Sequence, residues 1–466
     1  MTKKKAKISL LGLVVMIIVP VAGGGYGIED LVSTAGPGIT MLIFICIPFI
    51  WSLPFGLVAA EMSGRYPENG GMYTWAKNSL GEKAGFAAGW AYSIAGFIEP
   101  ATFATLSANY IKSMFPFEIS HLAYWGICAG LILLFTVINF YGVKVLSNIA
   151  TVVTIVCVIP FVFLIVLSFM NIEFSPINPL KPENMSFMQA AGQGLLIGIW
   201  FNTGYETIAT MAGEIKDGAK MVPKAIVIAV PIVSIMYALF VIPALGAVGH
   251  WESWSSEGPL SFVTIGKILG GPALQWAFTL SGTLSSVLIL SEYIAANSRV
   301  MATMSKKGEF FKFMGIEHKK YETPYVALII IAVVNIIMCS SSSFVELVGL
   351  SATLYAVPII LMFIGAIKVR FKNPDEQVGY RVPVNNKVFT AYVAVPIVLY
   401  IFSVFCDEWL VGVCMALTCI PAYFFFKHLY KGGSYWKETH CAAVIGNDDA
   451  DWGIETAEDY EEEKDA

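Results

Sequence analysis

Charged residues are scarce in this chain: Asp, Glu, Lys and Arg make up 14% of its 466 residues, whereas hydrophobic residues make up 56%. This balance excludes an ordinary soluble protein of this length and indicates a polytopic membrane protein. Cysteine pairs of the C-x-x-C type are absent, so the eight cysteines predict small buried side chains rather than disulfides or a metal site. The five histidines are dispersed, and no nucleophile–base or metal-ligand cluster is present in the sequence. We therefore expect no enzyme, no cofactor, no metal and no nucleic-acid partner.

Long apolar runs are abundant and predict about twelve membrane spans. They lie near residues 9–35, 39–63, 84–112, 121–142, 145–170, 188–213, 224–248, 272–302, 323–340, 343–369, 388–406 and 409–428. The first run has full spanning length and no small-residue cleavage site, so we expect no cleavable signal peptide. With these spans, 26 of the 29 Lys and Arg residues lie on one side of the membrane; the exceptions are Lys112, Lys181 and Lys267. The positive-inside rule predicts cytoplasmic N- and C-termini, in a plasma or bacterial inner membrane.

Glycines interrupt span 1. Gly23, Gly24, Gly25 and Gly27 surround Tyr26, and each glycine costs a helix about 1 kcal/mol relative to alanine. The carboxylates Glu29 and Asp30 follow, and we expect them one turn into the second half of the helix. Broken backbone is tolerated inside a membrane only where protein buries it or where it lines a cavity. The pattern therefore predicts a cavity at this depth.

Span 6 has a similar interruption. It lies near Asn202–Gly204, between Trp200 and the pair Tyr205-Glu206. Two interrupted spans five helices apart predict an inverted-repeat transporter whose substrate site lies near the middle of the membrane. The alternative is two flexible or kinked helices that tolerate their glycines.

Several short motifs occur in a familiar order. They are Gly-x-Gly-Ile at Gly25–Ile28, Glu61 with Tyr66–Gly71, Tyr205-Glu206, Ala212–Glu214, Val222–Ala225 and Ser298-Arg299. With them the chain resembles the amino acid–polyamine–organocation transporter superfamily over nearly its whole length. Gly-Ile-Glu-Asp and Phe49–Pro54 look most like its polyamine-uptake and heteromeric-type amino acid branch.

The resemblance implies an all-α polytopic fold of about twelve transmembrane helices. Ten would form two inverted five-helix repeats with broken helices 1 and 6, and two helices would be added. Substrate would lie between the two breaks, with helices 3, 8 and 10 around it and the aromatic ring of Trp200 over it. The corresponding segments are a cytoplasmic N-terminus (1–8), first repeat (9–170), second repeat (188–369), helices 11 and 12 (388–430) and a cytoplasmic acidic tail (431–466).

The ionisable residues predicted inside the membrane are acidic, without a basic residue at similar depth. Such carboxylates take up a proton or attract a cation. The candidates for proton coupling are Glu29, Asp30, Glu99 and Glu206. The candidates for substrate binding are Gly23, Gly24, Gly25, Tyr26, Gly27, Glu29, Trp200, Asn202, Gly204, Tyr205, Glu206, Glu292 and Tyr293.

These acids leave several interpretations open. We hypothesise that Glu206 and Glu292, flanked by aromatic rings, hold the two amines of a linear diamine. Alternatively, Glu29 and Asp30 complement a helix N-terminal dipole, and Glu99 is a hydrogen-bonded structural acid at a proline kink. In the loops, residues 67–75 predict a turn and a short amphipathic segment at the cytoplasmic face. Residues 249–254 predict either a cap over the outer vestibule or an interfacial aromatic belt.

The predicted function is secondary active transport of polyamines or cationic amino acids by alternating access, through proton symport or exchange. The partners would be a small organic amine or amino acid, protons and the lipid bilayer, with the oligomeric state left open. The first alternative is a proton-coupled neutral amino acid permease. A less favoured alternative is a nutrient receptor that binds its ligand without transporting it.

Overall fold

A computed structural model describes residues 7–22, 25–115, 117–256, 258–340, 344–373, 379–406 and 409–430. Within these ranges the chain is helical and forms no β-strand. Two predicted segments lie largely outside the described residues: most of the N-terminal stretch 1–8 and the whole acidic tail 431–466. Gly23 and Gly24 of the predicted site also lie outside them.

The helices follow the order predicted for twelve spans, and we number them α1 to α12. Their bounds are α1 Leu10–Ala22 and Glu29–Ala35, α2 Pro37–Arg65, α3 Glu82–Ala95 and Glu99–Lys112, α4 His121–Phe140, α5 Val143–Met170, α6 Phe187–Phe201 and (as a 3₁₀ helix) Thr207–Glu214, α7 Gly218–Val248, α8 Phe262–Lys306, α9 Tyr325–Met338, α10 Phe344–Lys372, α11 Asn386–Phe405, and α12 Trp409–Leu417 and Cys419–Leu429. In the described part of the chain, eight helices are long and apolar enough to cross a membrane. The other four, α1, α3, α6 and α9, are interrupted or shorter.

Two helices differ from their predicted form. Helix α3 is divided at Gly96–Ile98, because the chain turns there and a new helix begins at Glu99 with Pro100 in its first turn. Proline suits a first helical turn, where its missing N–H would have no partner. Helix α8 begins ten residues earlier than predicted, at Phe262, and bends sharply at Gly271, where φ is 70°. The predicted span from residue 272 is therefore the part of α8 beyond the bend.

The interruptions in α1 and α6 lie where the glycines predicted them. Gly25 and Gly27 have φ values of 81° and 87°, and Gly204 has a φ of 116°. These left-handed conformations favour glycine, since a Cβ atom would clash with the backbone there. The regular helix of α1 stops at Ala22 and that of α6 stops at Phe201.

Helix contacts follow a two-fold pattern between the halves of the chain. Helix α1 packs on α7 and α6 packs on α2, while α3 packs on α10 and α8 packs on α5. Helix n of the first five corresponds to helix n + 5 of the next five. With this correspondence the α1–α7 contact matches the α6–α2 contact, the α3–α10 contact matches the α8–α5 contact, and α4 packs on its own counterpart α9. This exchange is the packing expected of two inverted five-helix repeats. Helices α11 and α12 lie outside it.

The segment between α2 and α3 contains the predicted short helix, Gly71–Leu80, and most of this helix is buried in the protein. Tyr73 and Trp75 are fully buried, because the helix packs on α3 and α10. The amphipathic pattern in the sequence therefore reflects packing of this helix against other helices of the same chain. This helix lies at the end of the bundle that carries Arg65, Lys77 and Lys307, which we call the basic face; the other end is the opposite face.

Candidate functional site

The two interrupted helices meet at one side chain of α7. The Tyr237 hydroxyl bonds to the carbonyl oxygen of Val21 and lies 2.9 Å from that of Phe201. These carbonyls belong to the last turns of the first halves of α1 and α6, which have no helical donors of their own. Tyr237 was not predicted from the sequence, because nothing local to α7 indicates a partner in two distant helices.

Helix α2 holds the break in α6. Trp51 Nε1 donates to the Asn202 carbonyl oxygen at 3.1 Å, and Ser52 Oγ donates to Asn202 Oδ1 at 2.8 Å. The Asn202 amide nitrogen donates to Gly198 O at 2.9 Å. Both ends of the predicted binding residue Asn202 are therefore engaged by the protein itself. Trp51 and Ser52 lie in a π-helical turn of α2 that the sequence analysis did not predict.

Glu206 follows this break and is fully buried. Its Oε2 accepts a hydrogen bond from the Gly204 backbone N–H at 3.1 Å. Its Oε1 is buried with no hydrogen-bond partner among the described residues. Because an unsatisfied buried carboxylate oxygen is costly, this atom is a natural acceptor for a ligand donor or a proton.

Glu99 lies across from Glu206, at the start of the second half of α3. Its Oε1 accepts a hydrogen bond from Trp200 Nε1 at 3.1 Å, and Ser351 of α10 lies beside the carboxyl group. Its Oε2 is buried and has no hydrogen-bond partner in the ranges that the structure covers. Glu99 is within electrostatic range of Glu206. Two buried acids from different helices thus approach the same space.

Aromatic rings line this space. Phe103 stacks between Trp200, at a ring distance of 5.4 Å, and Tyr293, at 5.6 Å. Tyr355 of α10 contacts the rings of both Tyr293 and Tyr92. The seven residues that form this acid–aromatic cluster come from α3, α6, α8 and α10: Tyr92, Glu99, Phe103, Trp200, Glu206, Tyr293 and Tyr355. Sequence analysis missed Tyr92, Phe103 and Tyr355, since buried aromatics are common in any membrane bundle.

Glu292 is buried beside the cluster residue Tyr293, and its Oε1 has no hydrogen-bond partner among the described residues. Glu292 is within electrostatic range of Tyr293, and Glu99 is within electrostatic range of Glu206. The pairing of Glu206 with Glu292 across a diamine stays a prediction, and Glu99 is a second buried acid that could pair with Glu206.

Glu29 and Asp30 are the first two residues of the second half of α1, not one turn into it. Glu29 Oε1 accepts hydrogen bonds from the Phe262 backbone N–H at 2.9 Å and the Tyr110 hydroxyl at 3.1 Å. Asp30 accepts from Ser255 Oγ at 2.7 Å and the Ser256 backbone N–H at 3.2 Å. The two carboxylates thus fasten the segment before α8 over the break in α1.

The neighbouring side chains close the opposite face. The Tyr26 hydroxyl bonds to Ser281 Oγ, and its ring packs on Tyr110 at 5.1 Å. Trp254 is fully buried and donates to the Gly249 carbonyl at 2.8 Å. The position of Trp254 favours the predicted cap over the alternative of an aromatic belt.

The basic face is closed as well. Arg299 at the end of α8 pairs with Glu214 through two hydrogen bonds of 2.8 and 3.2 Å. Asn69 Nδ2 donates to the same carboxylate at 3.4 Å, and the Gly70 N–H donates to Thr210 O at 3.1 Å. These contacts join the ends of α6 and α8 to the loop after α2. With both faces closed, the acid–aromatic cluster lies in an occluded interior.

No group of three or more His, Cys, Asp or Glu side chains in the described ranges has the spacing to hold a metal ion. The described residues supply the site with carboxylates, aromatic rings and the free backbone groups of the helix breaks.

Comparison with known proteins identifies the class of protein. The family model described as amino acid permease matches residues 8–426, and the chain belongs to that family. It is 30% identical over 384 residues to polyamine transporter RMV1 of Arabidopsis thaliana, covering 81% of this chain and 76% of the relative. It is also 30% identical over 397 residues to polyamine transporter PUT1 of Oryza sativa subsp. japonica, covering 84% and 72%. Large neutral amino acids transporter small subunit 2 of Mus musculus is 24% identical over 494 residues, covering 98% and 90%.

The predicted superfamily and the polytopic transporter fold are thus confirmed. The chain is a multi-pass membrane protein of a permease family.

Proposed function

We propose that this permease is a secondary active transporter of polyamines or cationic amino acids that works by alternating access. The observation that carries the proposal is the pair of buried carboxylate oxygens, Glu99 Oε2 and Glu206 Oε1, which lack partners among the described residues beside an aromatic wall. An ammonium group would satisfy both hydrogen bonding and charge at such an oxygen. Aromatic faces attract cations, and they also cover an alkyl chain.

The relatives give independent support for amines. Those at 30% identity carry the name polyamine transporter, whereas the relatives with amino acid transporter names are 24% identical. A linear diamine has a charge at each end and an apolar stem between them. Two acids from different helices with rings between them match that distribution of charge. In this proposal Trp200, Tyr205 and Tyr293 line the substrate, and the backbone of Gly25, Gly27 and Gly204 offers polar groups to it.

The remaining acids would serve closure and coupling. Glu29 and Asp30 hold the chain at Ser255, Ser256 and Phe262 through three hydrogen bonds, so we assign them to closure of the opposite face rather than to substrate contact. A carboxylate in the cluster that is not paired with an ammonium group would carry a proton, which supplies a route for proton symport or exchange. By the positive-inside rule we place the basic face on the cytoplasmic side of the membrane. The membrane would be a plasma membrane or a bacterial inner membrane.

The direct test is uptake into liposomes that contain the purified full chain. Labelled putrescine, agmatine, arginine and leucine are supplied in turn, with and without an inward proton gradient, and protein-free liposomes give the background. We expect saturable uptake of an amine or of arginine, competition among these cations, and no competition by leucine.

Two outcomes would contradict the proposal. Saturable leucine uptake without competition by amines would make the chain a neutral amino acid permease. Ligand binding without flux into the liposomes would make it a receptor.

A further inference from the structure

A cavity lies at the basic face, away from the acid–aromatic cluster. Its volume is about 430 Å³, within the range of about 300–1,000 Å³ that is usual for small-molecule sites. It lies between the helix Gly71–Leu80, the start of α3, the segment after α8 and the last turns of α12. The cavity is lined by Lys77, Glu82, Phe86, Lys307, Gly308, Glu309, Tyr423, Phe426, Lys427 and Tyr430.

The lysines of the cavity differ in their partners. Lys77 forms an ion pair with Glu309, whose other oxygen accepts a hydrogen bond from Tyr73 at 2.6 Å. Lys427 Nζ donates to the Tyr423 hydroxyl at 3.3 Å. Lys307 forms no ion pair among the described residues and lies 5.6 Å from the centre of the Tyr73 ring. Lys307 and Lys427 therefore form no ion pair among the described residues, although the charges of Glu68 and Glu309 act on Lys307 without direct contact.

The electrostatics at Lys307 favour an incoming anion. Desolvation, followed by the nearby charge of Lys77, lowers the pKa of Lys307 below its ordinary value. An anion beside the ammonium group would stabilise the charged form and reverse this effect. Glu309 cannot fully do so, because Lys77 and Tyr73 already engage it.

The walls of the cavity are aromatic and reach the lipid boundary. Phe86 contacts the rings of Tyr423 and Phe426, and Tyr430 contacts Phe426 at 5.8 Å. On the same turns of α12, Phe424 and Phe425 are 64% and 53% exposed. Large apolar side chains exposed on a membrane helix face lipid, so one wall of the cavity borders the bilayer at the end of a span. A ligand with a phosphate and an acyl chain could enter from this side.

We propose that this cavity binds the phosphate of an anionic lipid headgroup, with Lys307 and Lys427 as donors and the aromatic wall against the glycerol and upper acyl chain. Basic pockets between membrane helices on the cytoplasmic side suit such headgroups. The volume is larger than one phosphate ion or one carboxylate side chain needs, which favours a headgroup over a free ion or the acidic tail. The proposal rests on the proposed orientation of the basic face but not on the transported substrate.

Lipid retention tests the proposal without measuring transport. The full chain is purified in detergent, mixed with phosphatidylglycerol or phosphatidylcholine, and analysed by native mass spectrometry. We expect selective retention of phosphatidylglycerol by the wild type, with affinity about fivefold lower in Lys307→Gln and again in Lys427→Gln. Lys307→Arg keeps the charge and should retain the lipid. Lys319→Gln is the matched control, because Lys319 is an exposed lysine of the same face outside the cavity.

Three further results would overturn the proposal. Equal retention by Lys307→Gln and Lys319→Gln would remove the cavity as the site. Displacement of the lipid by millimolar inorganic phosphate or glycerol 3-phosphate would make the ligand a soluble phosphate. Tighter lipid binding after deletion of residues 431–466, with no effect of Lys307→Gln in the intact chain, would make the acidic tail the natural occupant.

Discussion

The Glu206→Gln substitution tests the role of the acid–aromatic cluster with little disturbance of the fold. Glutamine keeps a carbonyl oxygen that can accept the Gly204 N–H bond, so the break in α6 should persist. It removes the negative charge and with it the charge-assisted hydrogen bond that Glu206 would accept from a substrate ammonium. Hydrogen bonds to charged groups contribute about 1.5–3 kcal/mol, which corresponds to a rise in KM of roughly 10- to 150-fold.

The assay is concentration-dependent uptake of the amine substrate by liposomes, at matched protein content. Glu99→Gln should show a rise of the same order, because its Oε1 would still accept the Trp200 bond while the charge is lost. Glu183→Gln is the control: Glu183 is an exposed acid in the loop before α6, and its substitution should leave KM unchanged.

Either of two results would refute the reasoning. If Glu206→Gln keeps the wild-type KM for amines but loses stimulation by the proton gradient, Glu206 carries a proton and does not bind the substrate cation. If Glu206→Gln and Glu99→Gln both keep the wild-type KM for amines and the stimulation by the proton gradient, the substrate does not bind at this cluster.

Three other substitutions test how the fold positions the site. Glu61→Gln should lower the free energy of unfolding by about 3–5 kcal/mol, because it leaves the fully buried Arg370 without its ionic partner; unchanged thermal unfolding in detergent would show that the pair is not needed. Gly27→Ala should destabilise the break in α1 by about 1–2 kcal/mol, since φ is 87° there, and a melting temperature equal to the wild type would contradict this. Tyr237→Phe should cost about 1 kcal/mol by removing the hydroxyl bond to α1 and α6, whereas Tyr141→Phe, at an exposed tyrosine, should cost nothing measurable in the same melt.

The sequence was sufficient for the architecture because each relevant signal is local. The length of an apolar run predicts a membrane span, a cluster of glycines predicts a break in the helix, and basic residues predict which side of the membrane a loop lies on. Gly25, Gly27 and Gly204 were found in this way, and their positive φ angles explain why no other residue type would serve as well. The predicted interruption of α6 near Asn202 was also correct.

The break in α3 was missed because its signal is weak. Single glycines and prolines such as Gly96 and Pro100 occur in many continuous membrane helices. In α3 the chain turns between these two residues, and this turn divides the helix. The sequence indicated both Glu99 and Glu292 as acids of the cavity, but it did not show that Glu99 begins a new half-helix within electrostatic range of Glu206.

The roles of Glu29 and Asp30 were not predictable for a different reason. Their position after a glycine-rich break is local, but most of their hydrogen-bond partners lie more than 200 residues away, around the start of α8, and the other is Tyr110 of α3. Such distant contacts decide whether a buried carboxylate accepts hydrogen bonds from the protein or keeps an oxygen available for a ligand. The sequence identifies the acids, and only the packing of the chain distinguishes these two groups of acids.

Tyr237 has a consequence for how the molecule can move. A hydroxyl group has one proton, so Tyr237 can donate fully to only one of the carbonyl oxygens of Val21 and Phe201 at a time. The two oxygens share this proton while both lie within reach of Tyr237, so a motion that separated the first halves of α1 and α6 would end the sharing and leave one carbonyl with no bond to Tyr237, at a cost of up to about 1–3 kcal/mol. The two half-helices are therefore coupled through a single shared proton. The cheapest change of shape keeps them together with α7 as one rigid unit and moves the other helices around it.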